Sequence, residues 1–299
     1  HEKKLGQLFC DGSAMQIIEM LLAELRAAGG TLWTECRVET AERVGEGFRL
    51  STSRGDIHAW ALVVASGGLS IPALGVTSFA YDTARAFEVP VIPKRPALVP
   101  LMWSADDAAK WGDLSGVSFD CTAQADGPLF REHALFTHRG LSGPAILQAS
   151  SYWRDGVLLQ LNLDPDKRLL PLLLDAKQHG KKAEIRTVLA SFFTQRLAQR
   201  LCEVHGWNGP INTVKDAFLR DLVHTLQHWT IHPAGTEGFK KAEVTAGGID
   251  TRALDPKSMQ VKAVPGLYFI GECVDVTGWL GGYNFQWAWA SGHACGEAL

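Results

Sequence analysis

Apolar residues recur at helical spacing near the start of the chain and alternate with polar residues soon afterwards. Over residues 11–29 the spacing of three and four predicts an amphipathic helix with one apolar face, and Gly29-Gly30 end it. Residues 31–44 alternate like a strand, and residues 48–68 predict a hairpin followed by a buried strand. This order of elements favours the second half of a nucleotide-binding α/β domain.

The pattern changes twice further along the chain. From Val89 to about Leu163, frequent prolines and short alternating runs predict a β-rich domain. Helical periodicity then follows, before strand-like runs and a last helix return near the C-terminus. We therefore predict one α/β domain interrupted by β-rich and helical insertions. The predicted boundaries are 1–80 with 242–299 for the α/β domain, 81–166 with 230–241 for the β-rich domain, and 167–229 for the helical subdomain.

Composition narrows the class of partner. The 299 residues carry a net charge of −3, so no global field favours nucleic acid or an anionic membrane. The longest apolar runs fall far short of the ~20 residues that a membrane span needs. Six cysteines lack the close spacing of zinc or redox motifs, which favours free thiols in a reducing compartment. We expect a cytoplasmic protein with a small-molecule substrate and neither a nucleic-acid nor a membrane partner, and its oligomeric state stays open.

Two glycine-bearing stretches are the candidates for chemistry. In ALVVASGGLSIPALG, residues 61–75, a buried strand ends at Ser66-Gly67-Gly68, and ligands of open α/β sheets lie at that end of a strand. An ordinary strand-to-loop turn is an equal alternative for this stretch. After LYFI, Gly271-Glu272 places a carboxylate where it can accept hydrogen bonds from sugar or polyol hydroxyls.

A second feature of the C-terminal stretch is the segment that leads into the last helix. Gly281-Gly282-Tyr283-Asn284 precedes a helix whose first N–H groups are unpaired and carry partial positive charge. Such a helix end can approach an electron-rich carbonyl or ring nitrogen when no side chain blocks it. The alternative is a glycine-rich turn that serves tight helix packing alone.

A resemblance now becomes specific. LFCDGSAMQIIEMLL, ALVVASGGLSIPALG, ALFTHRGLSGPAILQAS and residues 242–292 follow one another in the order seen in a bacterial flavoprotein family. The chain resembles the NAD(P)/FAD-dependent oxidoreductases of the aminoacetone-oxidase-like (BaiN/RdsA-type) family. The resemblance implies an α/β fold, α+β overall, in which a Rossmann-like FAD-binding domain is interrupted by a β-barrel-like domain and a helical subdomain. It implies FAD as cofactor, and NAD(P) is possible.

The resemblance also implies where FAD lies. Gly271, Glu272 and Asp275 would lie beside its ribityl and pyrophosphate portion. The adenine would meet the strand of Val38, and Ser66-Gly67-Gly68 would line the same channel. The pyrimidine side of the isoalloxazine would meet the remaining four residues, Gly281, Gly282, Tyr283 and Asn284.

The chain departs from the family pattern in two places. It has no GxGxxG turn, on which the FAD pyrophosphate rests in such proteins, and Val76-Thr77-Ser78-Phe79 stands where glycine and aspartate are expected. We therefore expect a truncated or incomplete sequence, or a degenerate homologue, with FAD binding that is weak or absent. A non-catalytic remnant that acts as a binding or interaction module is the alternative to an oxidoreductase.

The histidines give weaker signals. His138 precedes a tight turn and is a weak candidate for a proton donor near a flavin, although a structural turn residue is somewhat more plausible. His224, His228 and His232 share a helical spacing, but no acid accompanies them as in HExxH. We predict no metal site, and the sequence assigns no other catalytic residue.

Overall fold

The fold is mixed α/β, and a computed structural model describes residues 1–2, 8–179 and 182–299. The chain divides into two units. The first comprises residues 1–68, 77–93 and 247–299, and the second comprises residues 69–76 and 94–246.

Nine helices and fourteen strands are found in the described residues. The helices are α1 (Met15–Ala27), α2 (Phe79–Ala86), α3 (Ala105–Trp111), α4 (Pro144–Ser150), α5 (Leu169–Gln178), α6 (Ile185–Leu189), α7 (Gln195–His205), α8 (Asp216–Gln227) and α9 (Tyr283–Gly296). The strands are β1 (Val38–Val44), β2 (Gly47–Thr52), β3 (Ile57–Ala59), β4 (Leu62–Val64), β5 (Val91–Ala97), β6 (Leu101–Met102), β7 (Ser118–Gln124), β8 (Phe130–Phe136), β9 (Gly140–Ser142), β10 (Leu159–Asn162), β11 (Trp229–Ile231), β12 (Gly235–Thr236), β13 (Val244–Ile249) and β14 (Leu267–Phe269).

The first unit contains two kinds of strand pairing. β1, β2 and β3 form an antiparallel sheet, whereas β4 and β14 run parallel to each other. The strand predicted over residues 31–44 begins only at Val38, because its partner β2 ends at Thr52, opposite Val38. A strand can extend only as far as its neighbour offers hydrogen bonds.

The predicted N-terminal helix is present as α1, but its apolar face is not covered. None of the residues of α1 is buried, and Ile17, Ile18 and Leu21 are each more than a third exposed. Periodicity therefore identified the residues that share a face of this helix, without identifying what that face packs against.

The second unit is built on a seven-stranded antiparallel sheet in the order β11-β10-β7-β8-β9-β6-β12. Its edge strands β11 and β12 are separated in sequence only by residues 232–234. That connection spans at most about 15 Å, whereas a flat sheet of this size would separate its edges by about 29 Å. The sheet must therefore curl until its edges approach each other, which agrees with the β-barrel-like shape implied by the resemblance.

Helices α5, α6, α7 and α8 lie where helical periodicity was predicted, within residues 167–229. They share one hydrophobic core with the curled sheet, in which helix residues such as Leu173 and Leu201 join strand residues such as Phe119 and Leu161. Trp229 of β11 lies in this core, with its ring 4.9 Å from that of Trp111.

Two helices within the predicted β-rich part were not predicted. α3 is capped by Ser104, whose hydroxyl accepts a hydrogen bond from the Asp107 N–H. α4 begins at Pro144, after Gly143 with φ of +88°. Both helices have seven residues, which is too short for a clear helical period.

Candidate functional site

Two parallel strands place both predicted glycine stretches at one edge. β4 and β14 are in register, with Val64 opposite Phe269, and the Ile270 N–H donates to the Val64 carbonyl at 3.1 Å. Because the strands are parallel, the segments that follow them begin at the same carboxyl edge. The structure therefore brings residues 66–68 together with Gly271 and Glu272.

Glycine backbone is accessible along this edge and at the start of α9. Gly67, Gly271 and Gly282 have φ values of +74°, +70° and +91°. A Cβ built at any of the three would meet no atom within 4 Å, so each glycine faces open space. These residues fit a ligand that lies against bare backbone, because a side chain at these positions would occupy the space of the ligand.

A buried phenol that sequence reasoning missed interacts electrostatically with Cys273 and Glu272. Tyr81 of α2 is fully buried. Burial, followed by electrostatic interaction with Cys273 and Glu272, raises the pKa of the Tyr81 hydroxyl. Burial also raises the pKa of the Cys273 thiol to about 12, and the thiol donates to the Ile270 carbonyl at 3.1 Å. At neutral pH both the phenol and the thiol are therefore protonated.

Asp275 is held by backbone rather than by another side chain. Its Oδ1 accepts a hydrogen bond from the Gly247 N–H at 3.0 Å, and its own N–H donates to the Ile249 carbonyl at 2.9 Å. The neighbouring Gly248 has φ of +134°, and a Cβ there would clash with the Cys273 carbonyl oxygen. These contacts fix the position of the Asp275 carboxylate relative to β13 and to Gly271-Glu272.

The four residues 281–284 form the entry into α9. Gly281 and Gly282 both have positive φ, and the Gly282 carbonyl accepts the first helical bond from the Gln286 N–H at 2.9 Å. Tyr283 is 61% exposed. The Asn284 amide accepts from the Gly278 N–H at 2.8 Å and donates to the Gly278 carbonyl at 3.1 Å, which closes the loop before the helix.

Two further residues of α9 hold Gly271, and sequence reasoning missed both. The Gly271 N–H donates to Ser291 Oγ at 3.0 Å, and Trp287 Nε1 donates to the Gly271 carbonyl at 3.0 Å. The two side chains lie four residues apart, so they share one face of the helix. That spacing is the only sequence signal, and it resembles ordinary helix packing.

Three predicted residues remain: Ser66, Val38 and His138. Ser66 is exposed, and the half-buried Val38 pairs with Thr52 in the antiparallel sheet of the first unit. His138 is exposed and belongs to the second unit, in a turn closed by the Thr137 N–H donating to the Gly140 carbonyl at 2.8 Å. The cofactor roles of all the predicted residues and the proton-donor role of His138 stay predictions.

Residues 1–2, 8–179 and 182–299 contain no group of three or more His, Cys, Asp or Glu side chains that could hold a metal ion. The His224 and His228 rings are 4.2 Å apart, and His228 Nδ1 lies 3.0 Å from the His224 carbonyl. In the same part of the chain, no helix combines the length and apolar character that crossing a bilayer requires.

Known proteins give an independent comparison. The chain is 43% identical over 303 residues to the ribosomal RNA dihydrouridine synthase of Escherichia coli, covering 100% of this chain and 75% of that protein. Its identity to the enzyme of that name from Haemophilus influenzae is 42% over 306 residues, covering 100% and 76%. It is 29% identical over 304 residues to the 3-dehydro-bile acid delta(4,6)-reductase of Clostridium scindens, covering 95% and 73%.

A family model agrees with these relatives. The model described as HI0933-like protein Rossmann domain matches residues 1–298. The match confirms, at the level of the family, the resemblance carried by the glycine-bearing stretches. The chain belongs to the HI0933-like Rossmann-domain family.

Proposed function

We propose that the protein is a flavin-dependent oxidoreductase that uses FAD to reduce a carbon–carbon double bond conjugated to a carbonyl group. The observation that supports this proposal is the accessible backbone of Gly67, Gly271 and Gly282, in a chain that belongs to the HI0933-like Rossmann-domain family. Backbone without Cβ atoms is suited to a flat, polar ligand. When bound and reduced by NAD(P)H, the flavin would supply the hydride.

The residues of the chain would bind and orient the cofactor. The half-buried Glu272 carboxylate would accept hydrogen bonds from ribityl hydroxyls, as acids do at the strand ends of dinucleotide-binding folds. The first N–H groups of α9 would stabilise negative charge on the pyrimidine side of the ring, because the helix dipole is positive there. Gly282 would let that helix end come close.

The reaction class follows from the names of the relatives. Forming dihydrouridine saturates the C5–C6 double bond of uracil, which is conjugated to the C4 carbonyl. A delta(4,6)-reductase acting on a 3-dehydro-bile acid also acts on double bonds conjugated to a carbonyl. In both cases a hydride adds to an electron-poor carbon, negative charge develops towards the carbonyl oxygen, and a proton completes the saturated product.

For the substrate, we favour a uridine in ribosomal RNA. The two relatives named ribosomal RNA dihydrouridine synthase are 43% and 42% identical to this chain along its whole length. A small-molecule enone is the second candidate, which the 29% identical reductase and the net charge of −3 favour. This second candidate is the one that agrees with the expectation of no nucleic-acid partner.

One experiment tests both candidates. The purified protein would be titrated with FAD over a wide concentration range, so that weak binding is also detected. With FAD and NAD(P)H present, it would then be incubated with unmodified ribosomal RNA or with a 3-oxo-4,6-diene steroid. Mass spectrometry would detect the added pair of hydrogens in uridine or in the steroid. Absence of FAD binding at any concentration would refute the proposal and favour a non-catalytic binding module.

A further inference from the structure

Both backbone polar groups of Gly271 are held by one face of α9. Ser291 Oγ accepts the N–H, and Trp287 Nε1 donates to the carbonyl, each at 3.0 Å. Ser291 is 1% exposed, and its hydroxyl donates to the Trp287 carbonyl at 2.8 Å, which fixes its rotamer. The N–H, the carbonyl and both partners all lie in the first unit.

These bonds restrict the backbone of Gly271, whose carbonyl also accepts from the Val274 N–H at 3.2 Å. Gly271 has φ of +70° and open space around its missing Cβ, so its own sterics leave several backbone conformations accessible. The direction of the Gly271 backbone determines where the next residue, Glu272, projects its carboxylate. Fixing both polar groups of Gly271 therefore fixes the direction in which the Glu272 side chain leaves the backbone at the carboxyl edge of β14.

From this geometry, we propose that Ser291 and Trp287 are positioning residues that hold Gly271-Glu272 in the conformation that binds the cofactor. The inference rests on the proposed function, because it takes FAD as the ligand of Glu272. It adds two residues that lie away from the exposed edge and act on the ligand only through Gly271.

The competing explanation is that these bonds only attach a helix to a strand. The second unit offers matched examples of such attachment. Ser150 is also 1% exposed, and its hydroxyl accepts from the Val99 N–H at 2.9 Å and donates to the Leu147 carbonyl at 2.7 Å. Trp153 donates its Nε1–H to the Val157 carbonyl at 2.7 Å. Ser150→Ala and Trp153→Phe remove the same groups from bonds that do not involve Gly271.

The first measurement needs no cofactor. Amide hydrogen exchange of the protein would be compared for wild type, Ser291→Ala, Trp287→Phe and the two controls. We expect faster exchange of the Gly271 amide and its neighbours in Ser291→Ala, because that N–H loses its acceptor. The control variants should leave exchange in this segment unchanged. Unchanged exchange at Gly271 in Ser291→Ala would overturn the inference.

The second measurement uses FAD as the probe. We expect Ser291→Ala and Trp287→Phe each to weaken FAD binding about three- to tenfold, the scale of one hydrogen bond, whereas the controls stay within about twofold. The visible spectrum and reduction potential of bound flavin should shift in the same two variants, since the environment of the ring changes when its anchor moves. An equal loss of affinity in the Ser150→Ala control would instead indicate general destabilisation and overturn the inference.

Two substitutions of similar size at position 291 control for altered packing around that residue. Thr and Val have nearly the same shape, so Ser291→Thr and Ser291→Val differ chiefly in the hydroxyl. We expect Thr to bind FAD more tightly than Val at position 291, and no such difference at position 150. Equal affinities for both variants at position 291 would refute the role of the hydroxyl. If wild type binds no FAD, the proposed function fails, while the exchange measurement still decides whether Ser291 fixes Gly271.

Discussion

The sharpest prediction concerns Gly282, where a side chain would meet the ligand without meeting the protein. Gly282 has φ of +91° and ψ of 0°, and a Cβ built there has no atom within 4 Å. Gly282→Val therefore adds backbone strain but no clash. A left-handed conformation costs an L-residue ~1–2 kcal/mol, and up to about 3 kcal/mol for a strained site.

That strain converts into a modest loss of thermal stability. In a domain of about 150–250 residues, 1 kcal/mol corresponds to roughly 2–4 °C, so we expect Tm to fall by about 2–12 °C. The Gly282 carbonyl still accepts from the Gln286 N–H at 2.9 Å after substitution, so α9 should still begin at the same residue. The fold should survive.

Gly206 provides the matched control. It is also left-handed at a helix end, with φ of +69°, and its missing Cβ also faces open space. Gly206→Val, in the second unit, should therefore cost similar stability. We expect FAD affinity to fall at least about tenfold, or ~1.4 kcal/mol, in Gly282→Val and to remain unchanged in Gly206→Val.

The assay is FAD titration together with thermal melting for both variants. If Gly282→Val bound FAD like wild type, contact between the α9 entry and the cofactor would be refuted. Unfolding of Gly282→Val at a temperature where Gly206→Val stays folded would show a packing role instead. Glu272→Ala should also weaken FAD binding, by about five- to 150-fold, because it removes hydrogen bonds worth ~1–3 kcal/mol.

Three further predictions address the fold around the site. Gly248→Ala should destabilise the protein by about 2–4 kcal/mol in urea unfolding, because its Cβ would clash with the backbone carbonyl of Cys273. The Cys273 thiol, with a pKa raised by burial to about 12, should react with iodoacetamide more slowly than the half-buried Cys10, as peptide mass spectrometry would measure. Hydrogen bonding to Arg252 lowers the pKa of Asp250, so its stabilisation is present above the unfolded pKa and is lost as pH falls below about 4. Asp250→Asn should make urea stability less dependent on pH in that acidic range, and an unchanged dependence would contradict this.

The sequence contained enough information to predict the edge where the glycines meet. Both strands read as short buried runs, and the glycines that follow them identified Ser66-Gly67-Gly68 and Gly271-Glu272 in advance. The helical periodicity of residues 167–229 predicted the positions of four helices. These signals are local, since each depends on residues within one or two turns or strands.

What escaped prediction depends on contacts that are distant in sequence. The Gly271 N–H bonds to Ser291, twenty residues later, and no local pattern identifies that partner. Tyr81 lies on α2, whose start falls in the segment that departs from the family pattern, so no helix was predicted there. The curl of the sheet in the second unit follows from strand order, which alternation of apolar residues does not encode.

The candidate site contains two kinds of group. Some side chains hydrogen-bond to the protein's own backbone, whereas the backbone at the glycines is accessible to a ligand. The amide of Asn284, the indole of Trp287, the hydroxyl of Ser291 and one carboxylate oxygen of Asp275 all bond to backbone of the protein itself. Backbone at Gly67, Gly271 and Gly282 is then the surface that a ligand at this edge contacts. Glycine identity, rather than an array of polar side chains, would therefore determine whether the site can bind a flat cofactor. Substitutions at these glycines should weaken cofactor binding more than they lower the stability of the fold. Substitutions of the side chains that bond to the backbone should lower both.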